Sequence, residues 1–97
     1  MKHFIDISNF ELKKLDSIIQ KAKQIKKNHK KFSNKCKNKT LGMIFQKDST
    51  RTRASFTVGF QKLGGNTIEL NPKSIGFGKR ESVEDILRTL AQFIDIL

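Results

Sequence analysis

The sequence predicts an α/β chain in which a parallel sheet carries flanking helices, and three observations support this. Residues 40–45 form a nearly continuous apolar run of the kind found in a strand covered on both faces. Residues 66–70 repeat the strand signal after a segment with apolar side chains at helical spacing, and residues 94–97 begin it again after a second such segment. Strand, helix, strand, helix, strand in that order implies crossover connections and hence parallel pairing.

The elements follow in order. Ser8, Asn9, Phe10 and Glu11 fit a capping box, with Ile7 and Leu12 spaced for a hydrophobic staple, so a first helix is expected to start at Ser8. Leu12, Leu15, Ile18, Ile19, Ala22 and Ile25 line one face of it, opposite a lysine-rich face, and the pattern fades at residues 28–31. A polar connection then runs to Lys39, and residues 40–45 form the first strand. A second helix is expected from Arg53 to Leu63, packing through Phe56, Phe60 and Leu63 and closed by Gly64 and Gly65 as a left-handed cap. After the second strand, residues 71–78 hold one proline and two glycines and read as a turn-rich loop. Ser82, Val83, Glu84 and Asp85 are suited to start a third helix ending near Phe93, with Val83, Ile86, Leu87, Leu90 and Ile94 at helical spacing. Residues 94–97 are expected to open a third strand.

Composition narrows the function. With 97 residues, 36% hydrophobic and 30% charged, the chain is long enough for one small domain. No run approaches the roughly 18 apolar residues of a membrane span, and residues 1–6 lack the apolar core of a secretory signal, so the cytoplasm is the expected compartment. Cys36, the single cysteine, has no disulfide or metal-ligand partner at useful spacing, and no metal or cofactor is expected. His3 and His29 lie apart from any nucleophile or carboxylate arrangement and receive no role. The net charge of +11 attracts polyanions, and no acidic residue lies between Asp16 and Asp48. Yet Phe32 is the only phenylalanine among the lysines of residues 21–39, and the chain has no tryptophan or tyrosine for base stacking. A solvated basic surface is the favoured reading of those lysines, and a polyanion-binding module is the alternative.

The chemistry concentrates at Ser49, Thr50, Arg51, Thr52 and Arg53. These five donors stand where a helix begins, where the first amides lack intrahelical partners and the dipole favours an anion. Three hydroxyls can donate to phosphate oxygens, and a guanidinium grips two oxygens in a fork that lysine cannot reproduce. A solvated helix start with a capping hydroxyl is the competing reading of the pentapeptide alone.

Met43, Ile44 and Phe45, the pentapeptide, then Ser55, Phe56, Val58, Gly59, Leu63, Gly64 and Gly65 together resemble the carbamoyl-phosphate site of the aspartate/ornithine carbamoyltransferase family. Gly78, Lys79, Arg80, Glu81 and Ser82, with Asp85, Leu90 and Asp95, look like that family's phosphate-side loop and following helix. Phe45, Gln46 and Lys47 are closer to the ornithine branch than to the aspartate branch. The resemblance implies an N-terminal carbamoyl-phosphate domain over residues 1–97, incomplete, with the second, amino-acid-binding domain absent. It implies carbamoyl phosphate as ligand, held by Ser49, Thr50, Arg51 and Thr52. Arg51 and Thr52 would act as catalytic groups near the carbonyl or leaving oxygen, and Arg53 would support the corner from behind through Glu81. Lys79 and Arg80 would reach a neighbouring subunit in a homotrimeric full-length parent. Ornithine would bind only when the missing domain is supplied, and the isolated chain is expected to be inactive.

Departures are present. Gly76 stands where the ornithine branch commonly has glutamine, Ile86 replaces a usual threonine, and Asp48 puts a carboxylate beside the corner, where it is expected to face solvent. An aspartate carbamoyltransferase portion is the nearest alternative. A regulatory or vestigial chain that docks onto a full-length paralogue through residues 94–97 is a third reading.

Overall fold

The computed structural model describes residues 3–75 and 83–97, and it divides into two compact units, Met1–Phe32 and Ser33–Leu97. In the first unit the chain opens with a 3₁₀ turn, Ile7–Asn9, and continues into helix α1, Leu12–Lys27. The expected capping box does not form. Asp6 takes the Ser8 amide on its side chain at 3.1 Å, an Asx arrangement that starts the 3₁₀ turn instead, and Glu11 becomes the N-cap of α1 without a side-chain cap bond. The Ile7–Leu12 staple is also absent, since both side chains are exposed. Phe4 and Phe10 stack with ring centroids 4.9 Å apart. Leu15, Ile18 and Ile25 are half-buried, while Leu12 and Ile19 of the same stripe are exposed. The polar connection contains a second 3₁₀ turn, His29–Phe32, whose Phe32 is buried beneath the Lys21 ammonium, 5.1 Å from the ring centroid.

The second unit is built on strand β1, Thr40–Ile44, paired in parallel with β2, Asn66–Leu70, in the register Thr40 to Asn66 through Ile44 to Leu70. Side chains alternate across β1. Leu41 and Met43 join Phe60 of helix α2, Thr50–Lys62, in a small core against which Cys36 and Phe45 pack. The opposite face holds Gly42, where a Cβ would stand 2.7 Å from Ile94 Cδ1 and 3.5 Å from Leu97 Cδ1. Of the third strand expected over residues 94–97, a single bridge forms: Ile96 pairs with Leu41 in parallel, and the Gly42 amide donates to the Ile96 carbonyl at 2.8 Å. β1 is therefore central, with β2 on one edge and Ile96 on the other.

Other boundaries in this unit also differ from expectation. Helix α2 starts at Thr50 rather than Arg53, because Ser49 acts as its N-cap residue and the Arg53 amide already closes the first turn on the Ser49 carbonyl at 2.8 Å. Residues 72–75 form a helical turn, α3, Pro72–Ile75, started by the Asn71 side chain, which accepts from the Lys73 amide at 2.9 Å. Helix α4, Val83–Leu90, stops short of Phe93, and a turn carries the chain to Ile94. The C-terminus of α2 is as expected: Gly64 has φ +90°, its amide donates to the Gln61 carbonyl and the Gly65 amide to the Phe60 carbonyl, the two bonds of a Schellman cap. Phe56, expected in the core, is 54% exposed, whereas Phe60 is 9% exposed.

Candidate anion site at the strand ends

The C-terminal ends of parallel strands, where the chain turns into helices, are where α/β sheets collect ligands. Here β1 runs out through Phe45, Gln46, Lys47 and Asp48 into Ser49, and β2 runs out through Leu70 into Asn71, Pro72 and Lys73. These two exits, with Arg53 and Glu69, line a cleft of about 380 Å³. Its charged groups are Lys47, Arg53 and Lys73 against Asp48 and Glu69. Asp48, expected to face solvent, is exposed but lines this cleft.

Helix α2 begins beside the cleft. Ser49 is half-buried with an extended φ of −147°, and its side chain makes no cap bond, so its hydroxyl remains uncommitted. Thr50, Arg51 and Thr52 form the exposed first turn, and among the described residues their amides have no hydrogen-bond partner, since the first helical bond belongs to Arg53. The Arg51 carbonyl is held by the Ser55 hydroxyl at 2.8 Å. Among the described residues the turn thus offers three amides without partners, hydroxyls from Ser49, Thr50 and Thr52, and an Arg51 guanidinium without an ion pair. That set can surround a tetrahedral dianion. The four residues named from the sequence are brought together on one turn, although none of them lines the cleft itself.

Arg53 is placed differently. Its side chain turns into the cleft, where Nε pairs with Glu69 of β2 and the guanidinium carbon lies 5.3 Å from the Phe45 ring centroid. The partner that Arg53 meets among the described residues is Glu69; Glu81, named for it from the sequence, lies outside the described residues, as do Gly76, Gly78, Lys79, Arg80 and Ser82. Sequence reasoning missed Glu69, Asn71 and Lys73. The one signal was that Glu69 is the single charged residue of its strand.

The sequence profile of the aspartate/ornithine carbamoyltransferase carbamoyl-phosphate-binding domain matches residues 2–97. The chain belongs to that family. This carbamoyl-phosphate-binding domain is 38% identical over 98 residues to the ornithine carbamoyltransferase of Campylobacter hominis, covering 99% of the chain and 32% of that relative. Among solved structures it is similar to the anabolic ornithine carbamoyltransferase of Campylobacter jejuni, at 33% identity and a TM-score of 0.86, covering 98% of the chain and 31% of that structure. It is also similar to the catalytic subunit of M. jannaschii aspartate transcarbamoylase, at 31% identity and a TM-score of 0.84 over 98% of the chain and 32% of that structure. The domain spans about a third of the length of these relatives. Among the described residues, no helix is long and apolar enough to cross a membrane.

Proposed function

We propose that this domain supplies the phosphate-binding corner of an ornithine carbamoyltransferase, which converts carbamoyl phosphate and L-ornithine to L-citrulline and phosphate. The observation that carries the reading is the first turn of α2, whose three unpartnered amides, uncommitted hydroxyls and unpaired Arg51 stand at the end of the central strand. Ser49, Thr50, Arg51 and Thr52 take up the phosphate dianion. Arg51 and Thr52 also face the carbonyl or bridging oxygen, where positive charge stabilises the tetrahedral centre and the departing phosphate. The amine attacks the carbonyl carbon, the C–O bond to phosphate breaks, and the amine proton is lost. The enzyme's contribution is alignment and electrostatics, with no covalent intermediate on the protein.

Ornithine as the acceptor is supported by Phe45, Gln46 and Lys47 ahead of the corner and by the ornithine carbamoyltransferase relatives. The likeness to an aspartate transcarbamoylase makes aspartate the second reading. Acceptor binding is assigned to a second domain outside these 97 residues, and Lys79 and Arg80 to completing a neighbour's site in a homotrimer. The 97-residue chain alone therefore binds carbamoyl phosphate without turning it over.

Calorimetric titration of carbamoyl phosphate tests the assignment. Arg51→Ala removes the fork and abolishes measurable binding, whereas Lys26→Ala, on α1, leaves it unchanged. Equal losses in the two variants would mean nonspecific charge attraction and would sink the reading.

A further inference from the structure

Arg53 is tied to three segments at once, to its own helix through its backbone and to both strands through its guanidinium. Its own backbone amide closes the first turn of α2 on Ser49, its Nε pairs with Glu69 of β2, and its plane lies near the Phe45 ring at the exit of β1. The turn that carries the free amides of Thr50, Arg51 and Thr52 is thereby tethered to both strands through one side chain. By contrast, Thr50, Arg51 and Thr52 are exposed, and among the described residues their own side chains make no hydrogen bond or ion pair.

We propose that Glu69 is a positioning residue for the anion corner, acting through Arg53. This rests on the reading of the first turn of α2 as the phosphate site. Glu69 fixes the Arg53 guanidinium over Phe45, and Arg53 in turn sets how the first turn of α2 sits on the strand ends. Glu69 is also a carboxylate in the cleft beside that turn. By charge alone it weakens the binding of an anion. A strut and a bystander charge therefore predict opposite signs when the carboxylate is neutralised.

The experiment is a titration of the 97-residue chain with inorganic phosphate, followed by amide NMR, in wild type, Glu69→Gln, Arg53→Met and the double variant. Glu69→Gln is expected to lower phosphate affinity about three- to tenfold, the size usual for coupled neighbours, despite removing a negative charge. In the Arg53→Met background the strut is already gone, so the same replacement is expected to raise affinity slightly. A rise in both backgrounds, or no change in wild type, would overturn the proposal. Hydrogen exchange of the Arg53 amide, measured without ligand, gives a second readout: faster exchange in Glu69→Gln supports the strut, and an unchanged rate overturns it. Arg51→Ala separates the two claims. If wild type takes up no phosphate, or Arg51→Ala binds it as well as wild type, the site reading falls, and the exchange rate still decides whether Glu69 holds the turn.

Discussion

Three glycines at and near the end of α2 differ in whether a side chain could replace them. Gly64 has a positive φ, and a Cβ there would meet the Ser33 carbonyl oxygen at 2.4 Å, so both conformation and space exclude a side chain. Gly65 has no such φ, but a Cβ would stand 2.1 Å from the ring of Phe60, a core residue that cannot yield without opening the packing under Leu41 and Met43. Gly59 sits inside the helix with nothing within 4 Å. Gly65→Ala is accordingly expected to destabilise the chain by about 1–3 kcal/mol, the usual cost of overpacking. Gly59→Ala is expected to stabilise it by about 0.5–1 kcal/mol through helix propensity. Urea denaturation midpoints check both signs. The cap at Gly64 and Gly65 was legible in the sequence because it is a local motif. The steric reason at Gly65 was not, since it depends on where the Phe60 ring lies.

At the scale of elements, β2 was readable to the residue and β1 to within one, because their apolar runs are bounded by polar or glycine-rich sequence. The start of α2 was read three residues late. Ser49, Thr50 and Thr52 are each competent caps, and nothing local chooses among them; the Ser49 carbonyl, accepting the Arg53 amide, settles the choice. At Ser8 a well-formed capping signature lost to Asp6, two residues earlier, which reached the amide first. The C-terminal segment holds β1 through backbone bonds of Asp95 and Ile96 and through the Asp95 carboxylate, which accepts the Thr40 amide at 2.8 Å, while its contact with Lys39, at 3.9 Å between half-exposed partners, adds little. Asp95→Ala is expected to cost about 1 kcal/mol, and Asp95→Asn, which keeps an acceptor, less. Equal losses in chemical denaturation would instead assign the effect to charge.

Across the whole molecule, charge and site occupy different places. The lysines of α1 belong to the first compact unit, while the anion corner and its cleft belong to the second. Any binding of single-stranded nucleic acid through those lysines should fall by an order of magnitude or more between 50 and 200 mM salt, if on the order of five phosphates are contacted. Preference for carbamoyl phosphate over sulfate at the α2 turn should persist over that range, and its loss, read by competition titration, would demote the corner to a generic basic surface. The four residues proposed to bind phosphate were legible as a group because they are contiguous. The cleft was not, because Glu69, Asn71 and Lys73 reach it only through the parallel register that sets β2 beside β1. The central position of β1 also bears on the order of folding. Its first neighbour lies 26 residues downstream, from Thr40 to Asn66, but the second edge closes through the Thr40–Asp95 bond, 55 positions apart. A nascent chain on the ribosome therefore passes through a stage with β1 and β2 available and one flank of β1 still bare. Such a flank recruits foreign strands, so chaperone occupancy is expected to peak before residue 96 emerges.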